Sequence, residues 1–235
     1  APESPVPYLR RGRARRAKRD FDGAIADYSK ALQIRPGEKT IYVARGLAKH
    51  DKKDFDGAIA DYSKAIEIDP KYVSAWFDRA LTREAQNKPE EALADYGRAV
   101  ECDPKYANAY FNRGLLRHER KDLDGAVSDL TRYVGLSPKD PEGWYERARV
   151  RRAMKDFDGA IADFSKAIEL RASYVTAYLG RGLARHDKRD YDGAIADLTK
   201  AIELDPKNAV AYYERGVSLH EKKDYEGALA DYGRA

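Results

Sequence analysis

The chain has 235 residues, 44 Lys and Arg against 40 Asp and Glu, and a formal charge of +4. A mean hydropathy of −0.77 argues against membrane insertion, and no apolar run approaches the ~18 residues that a bilayer-spanning helix needs. The single cysteine, Cys102, excludes an internal disulfide and a cysteine-based zinc site. At ~100–200 residues per domain the length allows one large domain or two small ones. The 17 tyrosines against six phenylalanines point to half-exposed aromatic positions whose hydroxyls reach water.

The chain is one motif written seven times. Pro36, Pro70, Pro104, Pro138 and Pro206 fall on a 34-residue spacing, with Ala172 in the remaining place. The same shift superposes Ala24 with Ala58, Ala92, Ala126, Ala160, Ala194 and Ala228, and Asp27 with Asp61, Asp95, Asp129, Asp163, Asp197 and Asp231. Internal periods of this length mark repeat architectures. In chain order the repeats are 5–38, 39–72, 73–106, 107–140, 141–174, 175–208 and a truncated 209–235. Each reads as two helices. In repeat six they are expected near Val175–Asp187 and Tyr191–Leu204, with Asp190 as the cap of the second. Asp205-Pro206 should end that helix, since proline lacks a donor and restricts the residue before it. The short link Lys188-Arg189 makes the pair antiparallel, and no segment reads as a strand.

Tyr212-x-x-Arg215-Gly216, Ala228-x-x-x-Tyr232 and the proline series, with Trp76 and Trp144 at the leading aromatic place of two repeats, resemble the tetratricopeptide repeat (TPR) pattern. The resemblance covers nearly the whole chain. It implies an all-α fold: a right-handed superhelical solenoid of stacked antiparallel helix pairs, forming one array over residues 1–235. Stability in such an array comes from neighbour interfaces rather than one central core.

The chain also departs from that pattern. An arginine column (Arg11, Arg45, Arg79, Arg113, Arg147, Arg181, Arg215) stands where the family usually has an apolar residue. A second cation follows one turn later at Arg15, Lys49, Arg83, Arg117, Arg151 and Arg185. Such i,i+4 cations repel and need a partner. The Asp27–Asp231 column supplies it, in an expected ladder running along the solenoid, because arginine binds a carboxylate bidentately and stays charged when partly buried. Gly23, Gly57, Gly125, Gly159, Gly193 and Gly227 stand where a glutamate would complete a capping box. Either those helices start late or neighbouring backbone comes close. Repeat three has Glu91 there, after Pro89. In repeat four Tyr133 replaces an alanine found in every other repeat, suggesting a bend or binding feature near 130–145. A longer period of 136 residues relates 20–32 to 156–168 and 94–99 to 230–235, as if a four-repeat block had been duplicated.

In the family the first helix of each pair lines the concave face. Helical geometry at ~100° per residue then places on one stripe Leu9, Arg13 and Arg16; Val43, Leu47 and His50; Phe77, Leu81 and Glu84; Phe111, Leu115 and His118; Tyr145, Arg149 and Arg152; Leu179, Leu183 and His186; and Tyr213, Val217 and His220. All four histidines sit in this column, and repeats one and five substitute paired arginines. A groove of Leu and aromatics with a cationic or titratable rim suits a peptide carrying acidic and apolar residues. With pKa values near ~6.5 the histidines would add up to four charges on mild acidification and tighten such a peptide. Neither a metal nor a cofactor is expected: only His186 and His220 come from adjacent repeats, with Asp187 and Glu221 nearby, and the expected spacing of ~8–10 Å is too wide.

No phosphate loop, nucleophile elbow, zincin pair or calcium loop is present. Cys102, between Glu101 and Asp103, has neighbours that disfavour its thiolate. The expected function is therefore non-catalytic: a scaffold binding other proteins or peptides in the groove. The alternatives are self-assembly through open solenoid ends and, third, binding of an anionic polymer such as nucleic acid through the basic run Tyr8–Arg19 and the arginines of repeat five. Carboxylate-clamp arrays of the family use Lys and Asn along the groove, where this chain has Leu47, Leu81, Leu115 and Leu183. The asparagine ladder of the sugar-transferase arrays is absent too, Asn112 being isolated. The start at Ala1-Pro2-Glu3-Ser4 without Met and the stop inside a repeat suggest a fragment or a processed form. One cysteine fits a cytoplasmic, periplasmic or secreted setting, with the cytoplasm favoured.

Overall fold

The computed structural model describes residues 4–235; the opening Ala1-Pro2-Glu3, and what was read from it above, lies outside the described residues. Fourteen helices are formed among the described residues. The first helices of the pairs are α1 (Val6–Ala17), α3 (Lys39–Asp51), α5 (Val73–Ala85), α7 (Ala107–Glu119), α9 (Pro141–Ala153), α11 (Val175–Asp187) and α13 (Ala209–Glu221). Their partners are α2 (Phe21–Ile34), α4 (Phe55–Ile68), α6 (Pro89–Cys102), α8 (Leu123–Leu136), α10 (Phe157–Leu170), α12 (Tyr191–Leu204) and α14 (Tyr225–Tyr232). No strand occurs among the described residues. They fall into two compact bodies, one ending at Arg113 and the other running Gly114–Ala235, with the division inside α7. Each helix packs on its chain neighbours from α1 to α6 in the first body and from α8 to α14 in the second, the stacking of helix pairs expected of a TPR solenoid.

Local chemistry sets the helix ends. Asp20, Asp54, Asp122, Asp156, Asp190 and Asp224 each accept a hydrogen bond from the backbone N–H of the glycine three residues on, at 2.9–3.1 Å, which satisfies an orphan donor of the first turn. The link before each cap is a Schellman turn. At its centre Arg189 takes φ 66°; its N–H donates to the His186 carbonyl at 2.8 Å and that of Asp190 to the Arg185 carbonyl at 2.8 Å. The same left-handed place is held by Arg19, Lys53, Asn87, Lys121, Lys155 and Lys223. No repeat uses glycine there.

The glycines that follow the caps resolve differently from either expectation. The helices start on time, and what comes close is the cap itself: a Cβ on Gly159 would lie 2.1 Å from Asp156 Oδ2. The carboxylate turns in under the cation of the preceding helix, with Arg151 Nε 3.7 Å from Asp156 and Arg15 Nε 3.5 Å from Asp20. Repeat three reaches the same end by another route. Lys88 holds the cap position without a side-chain hydrogen bond, and Glu91 brings its carboxylate 3.2 Å from Arg83 Nε.

The core is built from small residues and rings. Ala24, Ala58, Ala92, Ala126, Ala160 and Ala194 are wholly buried and let the paired helices approach closely. Tyr28, Tyr62, Tyr96 and Phe164 fill the space between pairs and are also buried. This corrects the expectation of half-exposed tyrosines for the second-helix column; the exposed ones, Tyr213, Tyr225 and Tyr232, are in α13 and α14.

The arginine column pairs with the aspartate column as expected, each pair lying inside one repeat, in repeats one, two, three, five, six and seven. Arg147 donates from Nε and Nη2 to the two oxygens of Asp163 at 2.8 and 2.7 Å, and Arg151 Nη1 adds a third bond at 2.9 Å. Asp61, Asp95 and Asp197 are held likewise by Arg45 and Lys49, Arg79 and Arg83, and Arg181 and Arg185. The repulsion between the two cations is thus offset by the one buried carboxylate that they share. The link between repeats is a lighter one. Nη1 of Arg45, Arg79, Arg147, Arg181 and Arg215 donates to Ser29, Ser63, Thr131, Ser165 and Thr199 of the preceding repeat at 2.8–3.3 Å. Each guanidinium also lies over the aromatic ring three residues earlier, 4.9 Å from Trp144 in the case of Arg147, a favourable cation–π contact.

Tyr133 is accommodated by an exchange of volume. It is buried, and the residue it meets is Gly143, where the equivalent places are Ala75, Ala109, Ala177 and Ala211; a Cβ on Gly143 would sit 2.5 Å from the tyrosine ring. Its hydroxyl donates to Asp140 at 2.5 Å, and Asp140 in turn caps α9 through the Glu142 N–H at 3.1 Å. The residue thereby braces the loop between α8 and α9.

Candidate binding groove

The first-helix stripe separates into residues that pack and residues that line open space. Val43 is buried in the cluster around Tyr62 and Ala75, and Leu47 packs against the same cluster, so Val43 is not a groove contact. Phe77 meets Tyr96 and Tyr106, with ring centroids 5.8 and 5.3 Å apart. Leu81, Phe111, Leu115 and Val217 are half-buried. Tyr213 is exposed and lies 5.8 Å from Tyr232.

The histidines divide too. Thr82 gives its hydroxyl proton to the Asp78 carbonyl at 2.8 Å, so its oxygen accepts from His50 Nδ1, 2.8 Å away. Ser218 donates to the Glu214 carbonyl and accepts from His186 Nδ1 at 3.0 Å. These two histidines tie consecutive first helices together. The matching residue for His118 is Val150, which has no hydroxyl, and His118 instead lines a cavity. Burial, and then the nearby Arg149, lowers its pKa below the usual histidine value. The expected gain of a charge at this place on mild acidification is thereby pushed to lower pH. His220 is exposed, 5.3 Å from the Tyr225 ring.

The cavity measures about 580 Å³ and lies in the second body. It brings together six residues of the stripe from three repeats: His118, Tyr145, Arg149, Arg152, Leu179 and Leu183. Phe157 and Phe164 of α10, Thr176, Gly180 and Asp187 of α11, and Ala153 and Lys155 complete the wall, none of them on the stripe. In repeats one, two and seven the corresponding ring leans on a glycine of its own repeat, Tyr28 on Gly12, Tyr62 on Gly46 and Tyr232 on Gly216. Repeat five has Ala148 there, and Phe164 leans on Gly180 of the next repeat, 2.5 Å from where a Cβ would stand. That exchange of Ala and Gly was a signal in the sequence.

The polar groups of the cavity are held in place. Arg152 Nε donates to Asp187 Oδ2 at 2.6 Å. Arg149 Nη1 donates to both oxygens of Glu146, at 2.8 and 3.1 Å, and its guanidinium stands 5.9 Å from the Tyr145 ring centroid. Glu146 is buried and its pKa is raised by desolvation, against which Arg149 works. Arg13 and Arg16 line a smaller cavity of about 300 Å³ with Ala17, Tyr28 and Asp51 in the first body. No three His, Cys, Asp or Glu side chains converge on a metal geometry among the described residues. The Cys102 thiol donates to the Pro70 carbonyl at 3.5 Å.

Family profiles described as "TPR repeat" match residues 46–87, 148–189 and 182–223, and profiles described as "Tetratricopeptide repeat" match 77–141 and 7–38. Among solved structures, that of MamA is 30% identical, with 73% of this chain and 93% of that chain covered and a TM-score of 0.68. YrrB, described as a TPR protein with an unusual peptide-binding site, is 20% identical, with 83% and 97% covered and a TM-score of 0.72. The C-terminal part of a TPR repeat-containing protein from Cytophaga hutchinsonii is 18% identical, with 96% and 93% covered and a TM-score of 0.81. The last two show the fold alone. No curated protein sequence matches the chain. No described helix is long and apolar enough to cross a membrane. Repeats of this kind are generally non-catalytic scaffolds for protein interaction. Seven copies of a 34-residue helix pair, their caps and their stacking lead to one conclusion: the chain belongs to the tetratricopeptide repeat family.

Proposed function

We propose that residues 1–235 form one array that binds an extended peptide or a protein surface on its first-helix face, centred on the cavity beside α9 and α11, and performs no chemistry. The observation that carries this reading is the convergence of six stripe residues on one open space of about 580 Å³, a size ordinary for a ligand site. Its apolar floor and few fixed polar groups are what such sites use for affinity and orientation respectively. The description of YrrB as a peptide-binding TPR protein supports the same use.

The test is selection of random peptides of about twelve residues, displayed on phage, against the full chain. Selected peptides should bind with a Kd that rises at least ~tenfold, about 1.4 kcal/mol, in Leu183→Glu and Leu115→Glu, with helix content unchanged by circular dichroism. No enriched peptide, or binders indifferent to both substitutions, would overturn the reading.

A second reading, association between copies, is favoured by the apolar side chains exposed on α13 and α14: Val210, Tyr213, Tyr225 and Leu229. Light scattering across a concentration series distinguishes it. Anionic-polymer binding ranks third, because buried carboxylates of the same repeat already engage Arg147 and Arg151, as they do Arg11 and Arg15.

A further inference from the structure

The two cavities are copies of one design. Arg13, Arg16, Ala17, Tyr28 and Asp51 around the first stand 136 residues before Arg149, Arg152, Ala153, Phe164 and Asp187 around the second, the longer period of the sequence. Only repeats one and five have arginine at both stripe positions. The rest read Leu47 and His50, Leu81 and Glu84, Leu115 and His118, Leu183 and His186, and Val217 and His220. The ion pair that fixes the second arginine is the same in both copies: Arg16 Nε to Asp51 Oδ2 and Arg152 Nε to Asp187 Oδ2, each at 2.6 Å. Because Nε is the atom engaged, Nη1 and Nη2 remain as a pair of donors.

We propose that each body carries one carboxylate-reading site of this build, Arg13 with Arg16 in the first and Arg149 with Arg152 in the second, so that one chain takes two acidic side chains of a partner polypeptide. The proposal rests on the peptide-scaffold reading and names the chemistry of the occupant.

A single negative charge is what the second site can match. Arg149, Arg152 and Lys155 supply three positive charges, while Asp187 and Glu146 remove two when ionised, leaving about one. A carboxylate balances that, whereas a phosphate dianion over-compensates it. Beside the arginines the floor is apolar: Tyr145, Phe157, Phe164, Leu179 and Leu183. The residue next to the carboxylate is therefore a large apolar or aromatic one. In the first site the place of Glu146 is taken by Arg10 and that of Lys155 by Arg19, and the cavity is about half as large. That site takes the acidic side chain with more charge behind it and a single ring, Tyr28, beside it.

The experiment uses peptides selected on the full chain as above, titrated calorimetrically against the full chain and two variants, Arg13→Gln/Arg16→Gln and Arg149→Gln/Arg152→Gln. Their helix content is checked by circular dichroism. Three results are expected: enriched sequences carrying Asp or Glu beside Phe, Tyr, Leu or Trp; two equivalents bound per chain, one lost in each variant; and a loss of at least ~tenfold, about 1.4 kcal/mol, when the acidic residue is changed to its amide. Enriched peptides without an acidic residue, still blocked by Leu183→Glu, would overturn this inference and leave the scaffold reading standing. So would a single equivalent indifferent to Arg13→Gln/Arg16→Gln. Peptides that need phosphorylation to bind would replace the carboxylate by a phosphate and overturn it as well. No enrichment at all ends both.

Discussion

Replacing Asp163 by alanine should cost far more than replacing Asp27, although the two residues do the same thing. Asp163 receives three bonds of 2.7–2.9 Å from Arg147 and Arg151. The Arg147 side chain is only 9% exposed, so its charge has no route to water when the carboxylate goes. Two opposite charges ~4 Å apart at an effective dielectric of ~20 attract by about 4 kcal/mol, and breaking one side of a buried pair costs about 3–5 kcal/mol. Arg11, the partner of Asp27, is 56% exposed; left alone it is solvated, and the loss should be about 1 kcal/mol, the scale of exposed pairs. Urea unfolding followed by circular dichroism gives the totals. Hydrogen exchange in α9 and α10 shows whether the damage is local, as nearest-neighbour energetics requires. The double variant Arg147→Met/Asp163→Leu should recover most of the loss, since apolar replacement of a whole buried pair is often neutral. Equal costs for Asp163→Ala and Asp27→Ala, or a loss below about 1 kcal/mol at Asp163, would refute the argument from burial.

Gly143→Ala alone should destabilise by about 1–3 kcal/mol through overpacking against Tyr133; Tyr133→Ala/Gly143→Ala should cost less than the sum of the single changes, measured by the same urea titrations. Arg189→Gly should raise stability by up to about 1 kcal/mol, seen as a higher melting temperature, because φ there is 66° and a side chain is strained in that region. Burial raises the Asp78 pKa to about 6, with Arg16 acting against the shift. Its folded value is thus above its unfolded one, so stability falls as pH rises from about 4 to 6, and Asp78→Asn should stabilise at pH ~7 and not at pH ~3.5. At Asp27 the sign is opposite. Its bonds from Arg11 hold the pKa below the usual carboxylate value, so the contribution is present at neutral pH and is lost as acid protonates it, a loss that Asp27→Asn should remove from the acid-unfolding curve.

The helix boundaries of repeat six, Val175–Asp187 and Tyr191–Leu204, were legible because caps and breakers are local: Asp190, Arg189 and Pro206 act within a few residues. The pairing of Arg and Asp was legible as chemistry but not as topology. Spacing gives the columns, and only the packed pair shows that Arg147 and Asp163, 16 residues apart, meet inside one repeat. The candidate site was half legible. The stripe named six of the cavity residues, but Phe157, Gly180 and Lys155 come from a second helix, a neighbouring face and a left-handed turn that first-helix periodicity does not reach. The histidine column misled for a similar reason. His50 and His186 find a hydroxyl 32 residues on, and His118 finds Val150, a difference visible only once the next repeat is laid beside it.

Because each buried carboxylate is neutralised by cations of its own thirty-four residues, a repeat brings its counter-charges with it wherever it is placed. What its paired arginine asks of the repeat before it is a single hydroxyl, Ser or Thr alike. A block of four such modules can be copied end to end without stranding a buried carboxylate at the seam, and new recognition chemistry can then be written into one copy.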